Sequence, residues 1–71
     1  MSNHSQETLA SLLDAIDRQI IAASVSVRAA KTANAGRRPN EAIGAMLPAE
    51  NHLRLALDLH RATLALHRHS L

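Results

Sequence analysis

The residues in this chain best suited to chemistry are its histidines. His60 and His67 are seven residues apart, so on a helix they project from the same face two turns along. Such a pair can bind a metal ion or change charge at about pH 6. No carboxylate or cysteine shares that face, and the spacing is not a recognised ligand motif. We therefore interpret both as half-buried side chains at a helix interface, and expect no metal and no cofactor.

The acidic residues do not form a recognisable catalytic set. Asp14 and Asp17 lie one helical turn apart at a solvated edge, with Arg18 beside them. There is no glycine-rich phosphate loop and no strand-turn-helix segment to expose a nucleophile. Residues 13–21 resemble the first helix of the helical chorismate mutases, but Arg28 is out of step with that family's active-site arginine. We therefore expect no enzymatic activity and assign no catalytic residue.

Basic residues gather near the end of the first predicted helix, at positions 28, 31, 37 and 38. In a dimer this patch would be doubled and can contact phosphates. However, the chain has no Phe, Tyr or Trp to stack on bases, and its formal net charge is only +2. Nucleic-acid binding, in the manner of small helical-hairpin dimers that bind plasmid RNA, is therefore an alternative to the function that we expect.

Two long helices must position these residues. The chain has 71 residues, of which 46% are hydrophobic, and only two are Gly and two are Pro. This composition predicts an all-α fold. We predict a first helix over residues 5–34, a connector over residues 35–47 and a second helix over residues 48–69. Gly36 is expected to end the first helix in the left-handed conformation, and Pro48 to open the second.

The first helix carries an apolar seam with alternating four- and three-residue spacing, as in a coiled coil. The seam comprises Leu9, Leu13, Ile16, Ile20, Ala23, Val27 and Ala30. The second helix has an apolar arc of about 220°, which is wider than one neighbouring helix requires. Its flanks carry Leu53, Leu57 and Leu64 on one side and Leu55, Leu59, Ala62 and Leu66 on the other.

These features predict a two-helix antiparallel hairpin that pairs into a homodimeric four-helix bundle. A chain this small supplies a core of only about 3–5 kcal/mol unless disulfides, metals or partners add to it, and it contains no Cys. The residues predicted to form the dimer and core are Leu9, Leu13, Ile16, Ile20, Val27, Leu53, Leu57, His60 and Leu64.

A second apolar surface is predicted on the first helix. Ile21 and Val25 point away from the seam, in an uncharged stretch between Arg18 and Arg28. We predict that these four residues bind a partner protein, with the two arginines at the rim. Two alternatives remain: Ile21 and Val25 pack within a larger homo-oligomer, or they are scattered apolar residues on an ordinary surface. A purely structural oligomerisation module is thus a further interpretation of the chain.

The sequence predicts a cytoplasmic protein that does not enter membranes. The polar residues 1–7 do not resemble a secretory signal, and no apolar run approaches the roughly 18 residues needed to span a bilayer. The absence of Cys agrees with a reducing compartment.

Short segments of both helices resemble small all-helical anti-activators of quorum sensing. The matching segments are residues 13–16 (LDAI), 52–54 (HLR), 57–60 (LDLH) and 65–66 (AL). They are similar to the TraM type from conjugative plasmids, and phage-encoded anti-activators are comparable in size and architecture. The resemblance implies a homodimeric or oligomeric helical hairpin of phage or plasmid origin. Such a protein binds a LuxR-type transcription factor and stops it from engaging DNA.

Overall fold

The computed structural model describes residues 3–70, with side chains described from residue 5 to residue 69. Met1, Ser2 and Leu71 lie outside the described residues, and so does part of the polar N-terminus considered above. Helix α1 spans Asn3–Ala35 and helix α2 spans Pro39–Ser70. They pack antiparallel into a rod of 53 × 15 × 11 Å. The predicted all-α helical hairpin is confirmed.

A tight turn at residues 36–38 joins the helices. Arg38 N–H donates to the Ala33 carbonyl at 2.9 Å, and Arg37 N–H donates to the Asn34 carbonyl at 3.0 Å. This pair of bonds is the Schellman arrangement that satisfies the last carbonyls of a helix. Arg37, with φ of 62°, occupies the left-handed position, whereas no glycine has positive φ. The expectation that Gly36 would take this conformation was wrong, because Gly36 precedes it as the C-cap.

Helix α2 begins at Pro39, nine residues before the predicted start. Ala42 N–H donates to the Arg38 carbonyl at 3.0 Å, which makes Arg38 the N-cap and Pro39 the first helical residue. The connector predicted over residues 35–47 is therefore helical for most of its length. Ala42 explains why, since it is buried in a cluster with Ala30 and Ala33 of α1. Packing on α1 thus holds this segment in the helix despite its Gly44.

Pro48 lies inside α2 rather than at its beginning. It has no N–H to donate to the carbonyl of Gly44, four residues earlier, and its ring crowds that carbonyl. Both residues are exposed. Their position on the solvent side leaves the carbonyl accessible to water, and glycine gives the backbone room to adjust. The helix therefore continues through Pro48, and Ala49 directly after it is the most deeply buried of the described residues, with 2% exposure.

The contact between the helices is a coiled-coil seam whose most buried residues are small, and we call it the hairpin seam. Its members on α1 are Ser5, Leu9, Leu12, Ile16, Gln19, Ala23, Ser26, Ala30 and Ala33. Its members on α2 are Ala42, Ala45, Ala49, His52, Ala56, Leu59, Thr63 and Leu66. The buried residues among them are alanines and Ser26, and no large side chain of the described residues is fully buried. Small side chains let helix axes approach closely.

Four of the seven residues in the predicted α1 seam face α2 in the structure. Leu9, Ile16, Ala23 and Ala30 do face α2, but the intervening positions are Leu12, Gln19 and Ser26. Leu13, Ile20 and Val27 are exposed instead. They lie one step around the helix, next to the hairpin seam and outside it. The sequence prediction selected the apolar residue at each of these steps, whereas the hairpin packs through the residue directly before it.

Candidate protein-binding surfaces

One broad side of the hairpin is lined by large apolar side chains from both helices. On α1 these residues follow hairpin-seam positions by four, as do Met46, Leu53 and His60 on α2. The other α2 members each come directly after a hairpin-seam residue and lie farther out on the same side. In an antiparallel pair these positions flank the seam on the same side. We call this surface the leucine face. Its members are Leu13, Ile20 and Val27 of α1 and Ile43, Met46, Leu53, Leu57, His60 and Leu64 of α2, all of them exposed.

Two grooves show that both helices contribute to the leucine face. Near the turn, α1 and α2 together form an apolar groove lined by Val27, Lys31, Asn34, Ile43 and Met46, with Ala30, Pro39 and Ala42 at its floor and end. At the opposite, open end of the hairpin a second groove is lined by Leu9, Thr63, Leu64, Leu66 and His67. The face therefore extends from one end of the rod to the other.

The opposite side of the hairpin carries smaller side chains, and we call it the alanine face. Its members are Ala15, Ala22 and Ala29 of α1 and Pro48, Leu55 and Ala62 of α2. Leu55 is the one large aliphatic residue in this set, and it is less exposed than Leu53, at 40% against 54%. The two sides of the hairpin are therefore unequal, and the larger apolar surface is the leucine face.

The residues predicted to bind a partner lie together on the side of α1 that faces away from α2. Their spacing of three, four and three residues places Arg18, Ile21, Val25 and Arg28 in one line along the helix. Ile21 is 54% exposed and Val25 is 61% exposed. Among the described residues, neither Arg18 nor Arg28 makes an ion pair. We call these four residues the outer stripe; it combines accessible apolar surface with two arginines that form no ion pair among the described residues.

The outward side of α2 has a different character. Ion pairs join Arg54 to Glu50 at 3.2 Å and Arg61 to Asp58 at 3.8 Å. These pairs are exposed and contribute at most about 1 kcal/mol each. They keep this side polar, with the highly exposed Leu47 near its start.

The basic residues near the turn are divided among the outer stripe, the leucine face and the turn itself. Arg28 belongs to the outer stripe, whereas Lys31 lines the groove of the leucine face. Arg38 is paired with Glu41 at 3.3 Å. Arg28 and Lys31 are one helical turn apart, whereas the charge of Arg38 is already paired.

A polar contact in the middle of the hairpin seam was not predicted. His52 Nδ1 lies 2.7 Å from Gln19 Oε1, and both side chains are partly buried. Because Gln19 Oε1 can only accept, the contact is a hydrogen bond when Nδ1 carries the proton. The signal in the sequence was present: Gln19 and His52 each occupy a heptad position otherwise filled by small or apolar residues.

The histidines singled out for chemistry are not brought together with acidic groups. His60 and His67 are exposed on the side of the leucine face. Asp14 and Asp17 are exposed as well, on α1. Among side chains from residue 5 to residue 69, no three His, Asp or Glu groups are close enough to share a metal ion. What the described surface offers is apolar contact area rather than a polar pocket.

Comparisons with known proteins leave this geometry as the main guide to function. The chain matches no known protein family, and no curated protein and no solved structure is significantly similar to it. Within residues 3–70, neither helix has an apolar stretch long enough to cross a lipid bilayer.

Proposed function

We propose that this protein is a small, non-enzymatic, protein-binding inhibitor. More specifically, we propose an anti-activator that sequesters a bacterial LuxR-type quorum-sensing regulator in the cytoplasm. The hairpin pairs into a homodimeric four-helix bundle, and the outer stripe of each subunit contacts the regulator. The specific target comes from the resemblance of residues 13–16, 52–54, 57–60 and 65–66 to anti-activators of this kind.

The observation that carries the proposal is the exposure of Ile21 and Val25 between two unpaired arginines. An apolar centre with a charged rim is the usual anatomy of a protein-binding patch. Arginine is also the cation most enriched where protein interfaces concentrate binding energy. A regulator that presents an apolar groove edged by carboxylates would complement this stripe.

The test is binding to a purified LuxR-type regulator, together with release of that regulator from its DNA site. We expect the wild-type protein to bind and to displace the DNA. Val25→Asp should weaken binding at least tenfold, because it places a carboxylate in the apolar centre of the outer stripe. Leu47→Asp is the matched control, since Leu47 is even more exposed than Val25, at 71% against 61%, but lies on α2. Equal affinity of wild type and Val25→Asp would contradict this placement of the site.

A purely structural oligomerisation module is the second candidate, because the leucine face is larger than the outer stripe. It predicts self-association without any regulator binding.

The nucleic-acid alternative predicts binding that falls steeply with salt and is reduced by Arg37→Ala combined with Arg38→Ala. Absence of any complex with DNA or RNA at low salt would exclude it.

A further inference from the structure

We propose that the leucine face is the dimer interface, and that a second copy of this chain covers it. The inference rests on the homodimer proposed above and goes further, because it selects one side of the hairpin and assigns the others to different roles. The alternatives are the alanine face, the outer stripe and the outward side of α2. Three observations favour the leucine face: the solvent-accessible surface area of the hairpin, the composition of its core and the positions of the polar residues around the face.

The surface area of the hairpin is too large for a compact monomer. A folded monomer of 7.7 kDa exposes about 4,300 Å². The hairpin exposes 5452 Å², an excess of about 1,100 Å² over that expectation. A stable interface of standard size hides about 800 Å² on each partner. The excess is therefore of the size that one dimer interface removes.

The hairpin seam alone also provides a thin core. Its buried members are alanines and one serine, whose side chains remove little apolar surface from water. The larger aliphatic side chains, such as Ile20, Leu53 and Leu57, stay on the leucine face. The large aliphatic residues within the seam are themselves only partly buried. Much of the hydrophobic free energy available to this chain is therefore realised only when the leucine face is covered. If folding depends on covering the leucine face, the molecule that covers it must be present wherever the chain folds. A second copy of the same chain is always present.

The layout of the leucine face suits a two-fold contact with itself. Ile20 and Leu53 lie near its middle, level with the Gln19–His52 pair. Charged residues lie toward its edges, with Asp17 and Lys31 on the α1 edge and Glu50 on the α2 edge. In a two-fold dimer the same patch meets itself, so an apolar centre meets an apolar centre. A polar rim around an apolar centre is the expected arrangement of such an interface.

This assignment leaves the outer stripe free in the dimer. Ile21 and Val25 lie on the far side of α1 from α2, away from the hairpin seam. The dimer therefore displays two outer stripes, one on each subunit. Dimerisation and regulator binding use different residues and can be disrupted one at a time.

The deciding experiment compares two leucines of α2 that lie two residues apart. Leu53 belongs to the leucine face and Leu55 to the alanine face. Solution mass is measured by light scattering on wild type, Leu53→Asp and Leu55→Asp. Refractive index gives the concentration, because the chain has no Trp or Tyr. We expect a dimer for wild type and Leu55→Asp at about 10 μM, and at least a hundredfold higher dissociation constant for Leu53→Asp.

Two outcomes would overturn the proposal. One is a monomeric wild-type protein at about 100 μM, since an interface of standard size keeps two subunits associated at concentrations far below that. The other is the reverse pattern, in which Leu55→Asp dissociates the dimer and Leu53→Asp does not. That result would move the interface to the alanine face.

Cross-linking keeps the test decisive if Leu53→Asp fails to fold. The chain has no native Cys, so Leu53→Cys and Leu55→Cys each introduce a single thiol. A short bis-maleimide should join subunits through Cys introduced at position 53 and leave the position-55 variant monomeric on denaturing gels. Preferential cross-linking at position 55 would contradict the proposal.

The dimer and the regulator complex are tested by separate readouts. Val25→Asp should retain the dimer mass while losing the regulator. If wild type is a dimer through the leucine face but no regulator binds, the dimer inference holds and the proposed function fails. If Val25→Asp becomes a monomer, the outer stripe is part of the dimer interface and the present assignment of faces is wrong.

Discussion

Arg37 occupies the one backbone position in the described chain where a side chain is strained. Its φ of 62° lies in the left-handed region, which costs a residue with Cβ about 1–2 kcal/mol. We expect Arg37→Gly to raise the free energy of unfolding by about 1 kcal/mol, since glycine relieves this strain. The measurement is urea unfolding followed by circular dichroism at one fixed protein concentration. Arg28→Gly is the control: within α1 it should lower stability by about 1 kcal/mol.

Gln19 and His52 form a polar layer inside an otherwise small and apolar seam. Gln19→Leu and His52→Leu each leave one partly buried polar group without its partner, and we expect each to lose about 1 kcal/mol. The double variant Gln19→Leu/His52→Leu replaces both groups by apolar ones, so it should lose less than the two single changes added together. A double-mutant cycle in urea measures the coupling, which should be about 0.5–1.5 kcal/mol. Additive single effects would show that the contact contributes nothing.

At the residue scale, the sequence alone located some features and missed others. The exposed positions of Ile21 and Val25 follow from helical periodicity, whereas their role in partner binding stays a prediction. The left-handed residue was assigned to Gly36 because glycine adopts that conformation most easily. Which residue is left-handed depends on where α2 begins. The start of α2 at Pro39 is set by the packing of Ala42 against α1. Local propensity could not reveal this tertiary effect.

At the scale of the helices, Ala49 tests how closely they pack. It is 2% exposed and lies opposite Ala23 in the register that the Gln19–His52 contact sets. Ala49→Leu should push the helices apart and cost about 1–3 kcal/mol through overpacking. Asn51→Leu is the matched control, because Asn51 is exposed on the same helix and should change stability by no more than about 0.5 kcal/mol. An unchanged stability for Ala49→Leu would mean that the seam is loosely packed.

Two long helices were predictable from composition and spacing, but the phase of α1 and the start of α2 were not. Two apolar rows run side by side on α1: Leu13, Ile20 and Val27 on the leucine face, and the hairpin-seam positions beside them. Periodicity cannot decide which row faces α2, since both repeat every seven residues. The boundary at Pro48 was wrong because proline is also tolerated inside a helix where the carbonyl four residues earlier is solvated.

At the scale of the whole molecule, a dimer formed through the leucine face should make thermal stability depend on concentration. Because folding and association are linked, the midpoint of unfolding rises as protein concentration rises. We expect a shift of several degrees between about 5 and 500 μM for a chain of this size. Circular dichroism at 222 nm reports the transition without aromatic residues. A midpoint independent of concentration would indicate a hairpin that is stable alone.

The distribution of side-chain size along the seam has a consequence for the order of folding events. Closing the short turn first costs the least chain entropy, but the layers nearest the turn pair Ala30 with Ala42 and Ala23 with Ala49. These layers bury little apolar area, whereas the register of the Gln19–His52 contact places the partly buried Leu12 and Leu59 level with each other nearer the open end. The free energy therefore rises while the helices pair outward from the turn. It falls when the leucines nearer the open end become buried. A substitution that relieves strain in the turn, such as Arg37→Gly, should therefore raise the folding rate by a larger factor than it lowers the unfolding rate.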